Sequence, residues 1–415
     1  VTRARVGQDA VAVVVGGGVM GAATAWRLAR DGHDVLLLER FAPGHHEGAS
    51  HGETRNFNTA YASTHYLDLV QRARALWDEL ARESGQVLLD DVGLVNHGGG
   101  ERRWGATHDA LRARGLAAEW LSARAAHDRW PALRFAGGTS TGRDVLWVPS
   151  GARVRAAVAW RAMLDGVERH GGRVRHGVRV RAVVPLDGGG VRLELDGETS
   201  DGGTDATILA RTVVVTAGAW TTSLVGAVVP LPELVVTQEQ PAHFALATTG
   251  AGDVARVDAM PGFNHAPDPE RPLDRYFRSD VYGMATPGEG IKAGWHGVGP
   301  VADPDARTYR PEPDQLADLR RYAREWLPGV DADAAVPISC TYTSTASTDF
   351  VLDRHGDVVV GAGFSGHGYK FAPAVGEALA ALATGDGVAS ARAALPFRFG
   401  PGRAVATGTP TGFGT

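Results

Sequence analysis

The chain has 415 residues and a formal net charge of −5, with 44% hydrophobic and 21% charged residues. That is ordinary globular usage, with no basic excess for coating nucleic acid and no acidic tail. The length is too great for one simple core, so two intertwined domains are the default. A single cysteine, Cys340, excludes an internal disulfide framework and a zinc site built on several thiolates. No stretch approaches the roughly 20 apolar residues of a spanning helix, and the N-terminal residues do not read as the charged segment, apolar run and cleavage site of a signal peptide. The expectation is a soluble, cytoplasmic protein with neither nucleic-acid nor membrane partners. Of the 42 basic residues only Lys292 and Lys370 are lysine. Arginine replaces lysine freely on a surface but not where a compact ammonium is needed, so both lysines are candidates for function.

Residues 1–10 read as a loose leader. Val11–Val15 is a short β-branched run that ends in Gly16-Gly17-Gly18-Val19-Met20-Gly21. Ala22 to Asp31 reads as a helix, and Asp34 to Leu38 as a second strand closed by Glu39. Residues 42–64 read as a polar loop, and Tyr66 to Glu83 as a helix with Leu69, Ala73, Leu76 and Leu80 on one stripe. Residues 91–150 give no clear pattern. Val154 to Arg169 reads as a helix. The alternation from Arg173 to Arg181 predicts one strand with an apolar and a solvated arginine face, and Val191 to Leu195 alternates likewise. Val213–Val215 is another buried-type strand. Strands and turns dominate Pro230 to Gly299, with an exposed loop at Pro267 to Arg271. Gln315 to Trp326 is an amphipathic helix, Val358–Val360 a strand, Gly361–Gly368 a loop and Ala372–Thr384 an alanine-rich helix. Residues 396–415 read as a flexible tail.

Gly16-x-Gly18-x-x-Gly21 between a strand and a helix fits the dinucleotide fingerprint. The first glycine permits the tight turn, the second admits a pyrophosphate to the backbone, and the third lets helix and strand pack closely. The helix N-terminus offers unpaired donors to that anion. Glu39 follows Gly16 by 23 positions, where a carboxylate can accept from ribose hydroxyls. It argues against a 2′-phosphate, hence NADP, without separating NAD from FAD. The His45-His46-Glu47 run with His51 closes no metal-ligand set and reads as an exposed polar loop.

Two further stretches are more specific: Ser50-His51-Gly52-Glu53-Thr54-Arg55, and Gly363-Phe364-Ser365-Gly366-His367-Gly368-Tyr369-Lys370. With the fingerprint they resemble the monomeric sarcosine oxidase and N-methyltryptophan oxidase family, among the D-amino-acid-oxidase-like FAD enzymes. The resemblance runs from about Val11 to about Thr384. It implies an α/β fold, with a Rossmann-like FAD-binding domain and a second, mostly antiparallel β-sheet substrate domain. The FAD domain is expected from residues 9–90, 151–221 and 335–395, and the substrate domain from 91–150 and 222–334.

The resemblance also implies roles. Cys340, before Thr341-Tyr342-Thr343, corresponds to the cysteine joined covalently to the flavin; on its residues alone a buried, inert thiol is the favoured reading. Tyr282-Gly283, Lys292, Gly294 and His296 reproduce the pattern that sets a lysine over the flavin face where oxygen reacts. A fixed cation there stabilises the charge that develops on oxygen. Tyr342 joins this catalytic set. Lys370 corresponds to the lysine that grips the substrate carboxylate. Its usual arginine partner is missing, since position 58 is Asn58. Arg55 is expected close to the flavin ring. The expected cofactor contacts are Gly16, Gly17, Gly18, Val19, Met20, Glu39, Arg40, Ser50, Thr54, Arg55, Val180, Cys340, Gly366, Gly368 and Lys370.

The implied reaction is oxidation of a C–N bond in an amine or amino acid, with FAD as cofactor and oxygen as acceptor, giving imine and hydrogen peroxide. The partners are a small amine substrate and oxygen, in a monomer or small homo-oligomer. Three alternatives stay open: a flavin dehydrogenase or tailoring oxidase of a larger amine or amino sugar, an NAD-dependent dehydrogenase, and a non-catalytic flavin-binding protein.

Overall fold

The computed structural model describes residues 10–196, 206–247, 250–268 and 270–385. The expected leader, apart from Ala10, and the expected tail lie outside these residues. No helix among the described residues is long and apolar enough to cross a membrane.

The first strand, Ala10–Val15, lies inside an eight-stranded sheet, parallel to Val35–Leu38 on one side and to Thr207–Val215 on the other. Arg173–Arg175 continues the sheet in parallel beyond Val35–Leu38, and Val358–Ala362 pairs in parallel with the far end of Thr207–Val215. Val180–Pro185 and Val191–Leu195 form an antiparallel flank, as does Val351–His355. The central strands are runs of buried valine and leucine, as expected of parallel strands covered on both faces. The helix Val19–Arg30 follows the glycine turn and packs between Ala372–Thr384 and Ala156–Arg169. Both partners approach it through a glycine. A Cβ on Gly376 would lie 2.7 Å from the Ala23 carbonyl oxygen, and one on Gly166 would lie 2.6 Å from the Trp26 ring. The two ends of the chain thus meet across one helix.

The second sheet also has eight strands, in the order Val330–Pro337, Ala242–Leu246, Gly290–Trp295, Val281–Thr286, Gly262–His265, Leu94–His97, Val145–Val148, Glu119–Leu121. Its pairings are antiparallel except that of Gly262–His265 with Leu94–His97, which is parallel. One face carries Val95, Phe244, Phe263, Ala293 and Trp295 into a core with the helix Pro313–Trp326. Side chains alternate along each strand, so register decides what the opposite face carries. The pairs Asn96–Asn264, Asn264–Tyr282, Met284–Lys292 and His243–Lys292 put a polar row on that face.

Several local expectations need correction. Residues 54–57 are not loop: Thr54–Phe57 is a strand paired with Ala152–Arg155, which also pairs with Leu89–Asp90. The helix expected from Val154 therefore begins at Ala156, because the chain leaves that strand directly into it. Arg173 to Arg181 is two strands, not one. Gly177 turns the chain at φ +74°, so Arg173–Arg175 and Val180–Pro185 pair with different neighbours. Val213–Val215 is the end of the longer strand Thr207–Val215, and a helix, Ala251–Asp258, interrupts the strand-rich middle. Gly361 and Ala362 finish a strand rather than open a loop.

Candidate active site

The glycine turn is built tightly. Gly16 has φ +103°, and a Cβ there would lie 2.5 Å from the Thr216 carbonyl oxygen. A Cβ on Gly21 would lie 1.8 Å from the Gly16 carbonyl oxygen, so no larger residue lets helix and turn meet. Gly17 N–H donates to Glu39 Oε2 at 2.6 Å, and Phe41 N–H to Glu39 Oε1 at 2.9 Å. The carboxylate retains acceptor capacity for ribose hydroxyls. Ser50 Oγ accepts from Val19 N–H at 2.9 Å. The helix has no acidic residue in its first turn and no side-chain cap from Gly18, which leaves its positive end to an anion. Trp160, which sequence reasoning missed, donates to the Gly17 carbonyl oxygen at 2.8 Å. Arg40 lies at the rim, bound to Asp305 at 2.7 Å, and Val180 lines the same wall.

From this turn a cleft of about 840 Å³ runs under the polar face of the second sheet. That is within the roughly 300–1,000 Å³ of small-molecule sites. A constricted glycine turn, an acid at the end of the second strand and a cleft of this size fit an FAD. Gly16, Gly17, Gly18, Val19, Met20, Glu39 and Ser50 would hold its nucleotide part.

The cleft brings most of the remaining expected residues together, but Thr54 and His296 do not line it and reach it only through Lys292 and Tyr342. Lys292 is buried, and its Nζ donates to the Thr54 carbonyl oxygen at 2.6 Å. Burial, then Arg55, pushes its pKa well below the usual lysine range. Thr54 itself is pinned by Thr286, with hydroxyls 2.7 Å apart. Arg55 donates to the carbonyl oxygens of Thr54, Ala49 and His51 and lies over the Tyr369 ring. Cys340 opens the strand Cys340–Ser344, which pairs with Val235–Glu239. Its Sγ is 3.9 Å from the Ala49 carbonyl oxygen. Burial pushes its thiol pKa up, and Arg55 opposes that.

Tyr282 and Tyr342 hydrogen-bond through their hydroxyls, and Tyr342 Oη reaches His296 Nδ1 at 3.4 Å. Burial, then Lys370, pushes His296 down to about 4, so it is neutral at pH 7. Lys370 lies in the short turn Tyr369–Phe371, donates to the His367 carbonyl oxygen at 2.6 Å and faces the Tyr61 ring at 5.3 Å. Burial lowers its pKa to about 7. A Cβ on Gly366 would lie 2.1 Å from the Tyr342 ring, and one on Gly368 would lie 2.8 Å from Met20 Cε. Glycine at both positions lets the loop close on the cleft. Among the described residues none of Lys292, Lys370 and Arg55 forms an ion pair; each donates to backbone carbonyl oxygens.

Sequence reasoning missed His243, Asn264, Asn56 and Glu289 in this cleft. His243 stands opposite Lys292 in register, and its Nδ1 lies 3.0 Å from the Glu289 carboxylate. Burial, then Lys292, lowers it to about 4. Asn58 is buried against the cleft, as its motif position suggested. His51 is not on an exposed loop. Its Nε2 contacts the Ser339 carbonyl oxygen at 2.9 Å, and burial lowers it to about 3.

Comparison with known proteins agrees with this geometry. The family described as FAD dependent oxidoreductase (DAO) matches residues 12–382. The peroxisomal sarcosine oxidase of Homo sapiens is 32% identical over 381 residues, covering 89% of this chain and 90% of the relative. The monomeric sarcosine oxidase of Bacillus sp. (strain B-0618) is 29% identical over 382 residues, covering 89% and 91%. The solved structure of NikD, an unusual amino acid oxidase essential for nikkomycin biosynthesis, is 26% identical with a TM-score of 0.75, covering 92% and 95%. The chain belongs to the DAO family of FAD-dependent oxidoreductases, and it oxidises a C–N bond of an amine or amino acid with sarcosine-oxidase-like chemistry.

Proposed function

We propose that this enzyme is an oxidase that uses oxygen as its acceptor, and that its FAD is bound covalently through Cys340. The observation that carries the oxidase reading is Lys292, a buried lysine without an ion-pair partner among the described residues, on the cleft face of the second sheet. FAD, when bound, supplies the two-electron acceptor for the substrate C–H bond. The protein does the rest. Lys370 offers its ammonium to a substrate carboxylate. Neutral His296, with Tyr342 and Tyr282, orients the amine without donating a charge to it. Lys292 stabilises the charge that develops on oxygen, in a dry site where a fixed charge is worth far more than in water. The balance is amine plus oxygen to imine plus hydrogen peroxide.

The covalent reading is supported by Cys340 lining the cleft near Arg55, whose charge favours the thiolate against burial. The bond would replace the thiol hydrogen and one flavin methyl hydrogen, with two electrons and two protons passing to oxygen. Acid-precipitated enzyme should stay yellow, and Cys340→Ser should release the colour to the supernatant. A white wild-type precipitate contradicts the linkage.

The oxidase reading is tested by mixing the enzyme with a panel of amines without oxygen. Bleaching of the flavin band, its return on admitting oxygen, and one peroxide per cycle are expected. Bleaching that reverses only with an artificial acceptor contradicts it and favours a dehydrogenase.

A further inference from the structure

We propose that residues 303–307 form a gate over the nucleotide end of the cleft, latched by Asp305, and that this gate sets how fast FAD enters and leaves. The inference needs only that the chain binds FAD, and it is independent of the covalent and oxidase readings.

The dinucleotide of such a fold lies in the crevice beyond the carboxyl ends of the parallel strands. Here Ala10–Val15 lies between Val35–Leu38 and Thr207–Val215. Arg40 follows the first of these flanking strands and Trp220 follows the second. Asp305 Oδ1 accepts from both, from Arg40 Nη1 at 2.7 Å and from Trp220 Nε1 at 2.9 Å. One carboxylate therefore ties the two walls of the crevice together, across the end of the strand that leads into the glycine turn. The walls also meet through their rings. The Phe41 and Trp220 centroids are 5.4 Å apart, and Arg40 Cζ lies 4.9 Å from the first and 5.6 Å from the second. All four residues line the cleft.

Asp305 belongs to neither wall. It lies between Gly290–Trp295 and the helix Pro313–Trp326, so it reaches over from the side of the second sheet. Gln238 pins both legs of this segment. Its backbone N–H donates to the Pro300 carbonyl oxygen at 2.9 Å. Its Nε2 donates to Thr308 Oγ1 at 3.1 Å and to the Arg310 carbonyl oxygen at 3.0 Å, and its Oε1 accepts from Tyr309 N–H at 3.1 Å. From the second leg Tyr309 Oη also donates to the Glu47 carboxylate. The tip between the legs is bent by its own bonds. Asp305 N–H donates to Asp303 Oδ1 at 2.9 Å, and Ala306 N–H to the Asp303 carbonyl oxygen at 3.1 Å. Asp303, Asp305 and Ala306 are exposed, while Arg307 is buried. Pinned legs and a tip that supports itself make a flap that swings as a unit.

Two anchors hold the tip down, and they are unequal. Arg307 Nη2 donates to the Glu47 carbonyl oxygen at 2.7 Å, but Arg307 Nε and Nη1 are buried without a partner among the described residues. Opening returns those two donors to water, which offsets the bond that is lost. Asp305 gives up two satisfied hydrogen bonds, one of them charge-assisted, so it is the latch.

The test follows FAD binding to the full chain carrying Cys340→Ser, where release is measurable whether or not the wild type links its flavin. Stopped-flow flavin fluorescence on mixing apoprotein with FAD gives the entry rate, and the fluorescence that appears on diluting holoprotein gives the release rate. Asp305→Ala should raise both rates about fivefold and leave Kd within about twofold, because a gate slows entry and exit alike and the lost ion pair is only half-buried. Asp305→Asn keeps an acceptor for Trp220 and should fall between. Salt screens the Arg40–Asp305 pair, so it should speed release more in the parent chain than in Asp305→Ala. Unchanged rates in Asp305→Ala overturn the proposal. Faster release with unchanged entry overturns it as well, since Asp305 would then be an ordinary FAD contact. Acid precipitation of the wild type decides the covalent linkage separately, so the two readings fail independently.

Discussion

The nucleotide end of the cleft and its sheet-covered end are built in opposite ways. At the glycine turn nearly every polar group has a near neighbour in the protein: Glu39 holds Gly17 and Phe41, and Ser50 holds Val19. Under the second sheet the polar groups are incomplete. Lys292 and Lys370 hold one carbonyl each, and Asn58, Asn56 and Asn264 each leave an atom unpaired. The first region is a preformed cradle whose geometry the protein fixes alone. The second leaves both lysines without an ion-pair partner among the described residues.

If the cradle is rigid, filling it should be fatal to cofactor binding. Gly21→Ala drives a Cβ into the Gly16 carbonyl oxygen. Forced overpacking of this kind costs about 3 kcal/mol, roughly a hundredfold in FAD affinity. The variant should purify largely colourless, and a fully yellow Gly21→Ala would show that the turn adapts.

If the sheet-covered end holds reserve charge, removing it should spare FAD and harm substrate. Lys370→Met should weaken a carboxylate-bearing substrate by about 2 kcal/mol, near thirtyfold in Kd, the low end for losing one partner of a buried pair. FAD content should be unchanged. An unaltered Kd would reassign Lys370.

The same charge predicts a pH dependence. Burial brings Lys370 down to about 7. The ammonium is therefore fully formed below pH 7 and lost above it. Binding of a small carboxylate without an amine should be pH-independent below about 7 and weaken up to tenfold per unit above. Lys370→Met should flatten the profile. A wild-type profile already flat from pH 6 to 9 would mean that the ammonium does not hold the carboxylate.

The smallest effect is expected at the cradle's acid. Glu39→Gln keeps one of the two acceptors, removes the charge and sets an amide donor against one backbone N–H, so FAD affinity should fall by about 1–2 kcal/mol. A loss above about 3 kcal/mol would mean that the turn itself depends on the carboxylate.

The contrast also explains what the sequence made legible. The cradle is local: strand, glycine turn, helix and acid lie between Ala10 and Glu39, so spacing alone reports them. The helix Ala372–Thr384 was readable to the residue because its alanines face a close-packed neighbour. The strand Thr54–Phe57 was hidden, since Thr-Arg-Asn-Phe carries no clean alternation and its partner lies about a hundred residues on. His243 and Asn264 gave no signal in their own segments. Only sheet register, His243 against Lys292 and Asn264 against Tyr282, brings them to the site. Lys292 was legible for a different reason, because lysine is so rare in this chain.

Lys292 is also where the account is most exposed. Lys292→Met keeps the side chain's length and removes its charge. Losing one preorganised electrostatic partner of a developing charge costs on the order of 3 kcal/mol, about a hundredfold in rate. Stopped-flow absorbance separates anaerobic bleaching by the amine from the return of colour with oxygen. The account predicts that the second rate falls about a hundredfold in Lys292→Met while the first falls far less. Return of colour at the wild-type rate would contradict it, and the assignment of oxygen reactivity to this cation would have to be withdrawn.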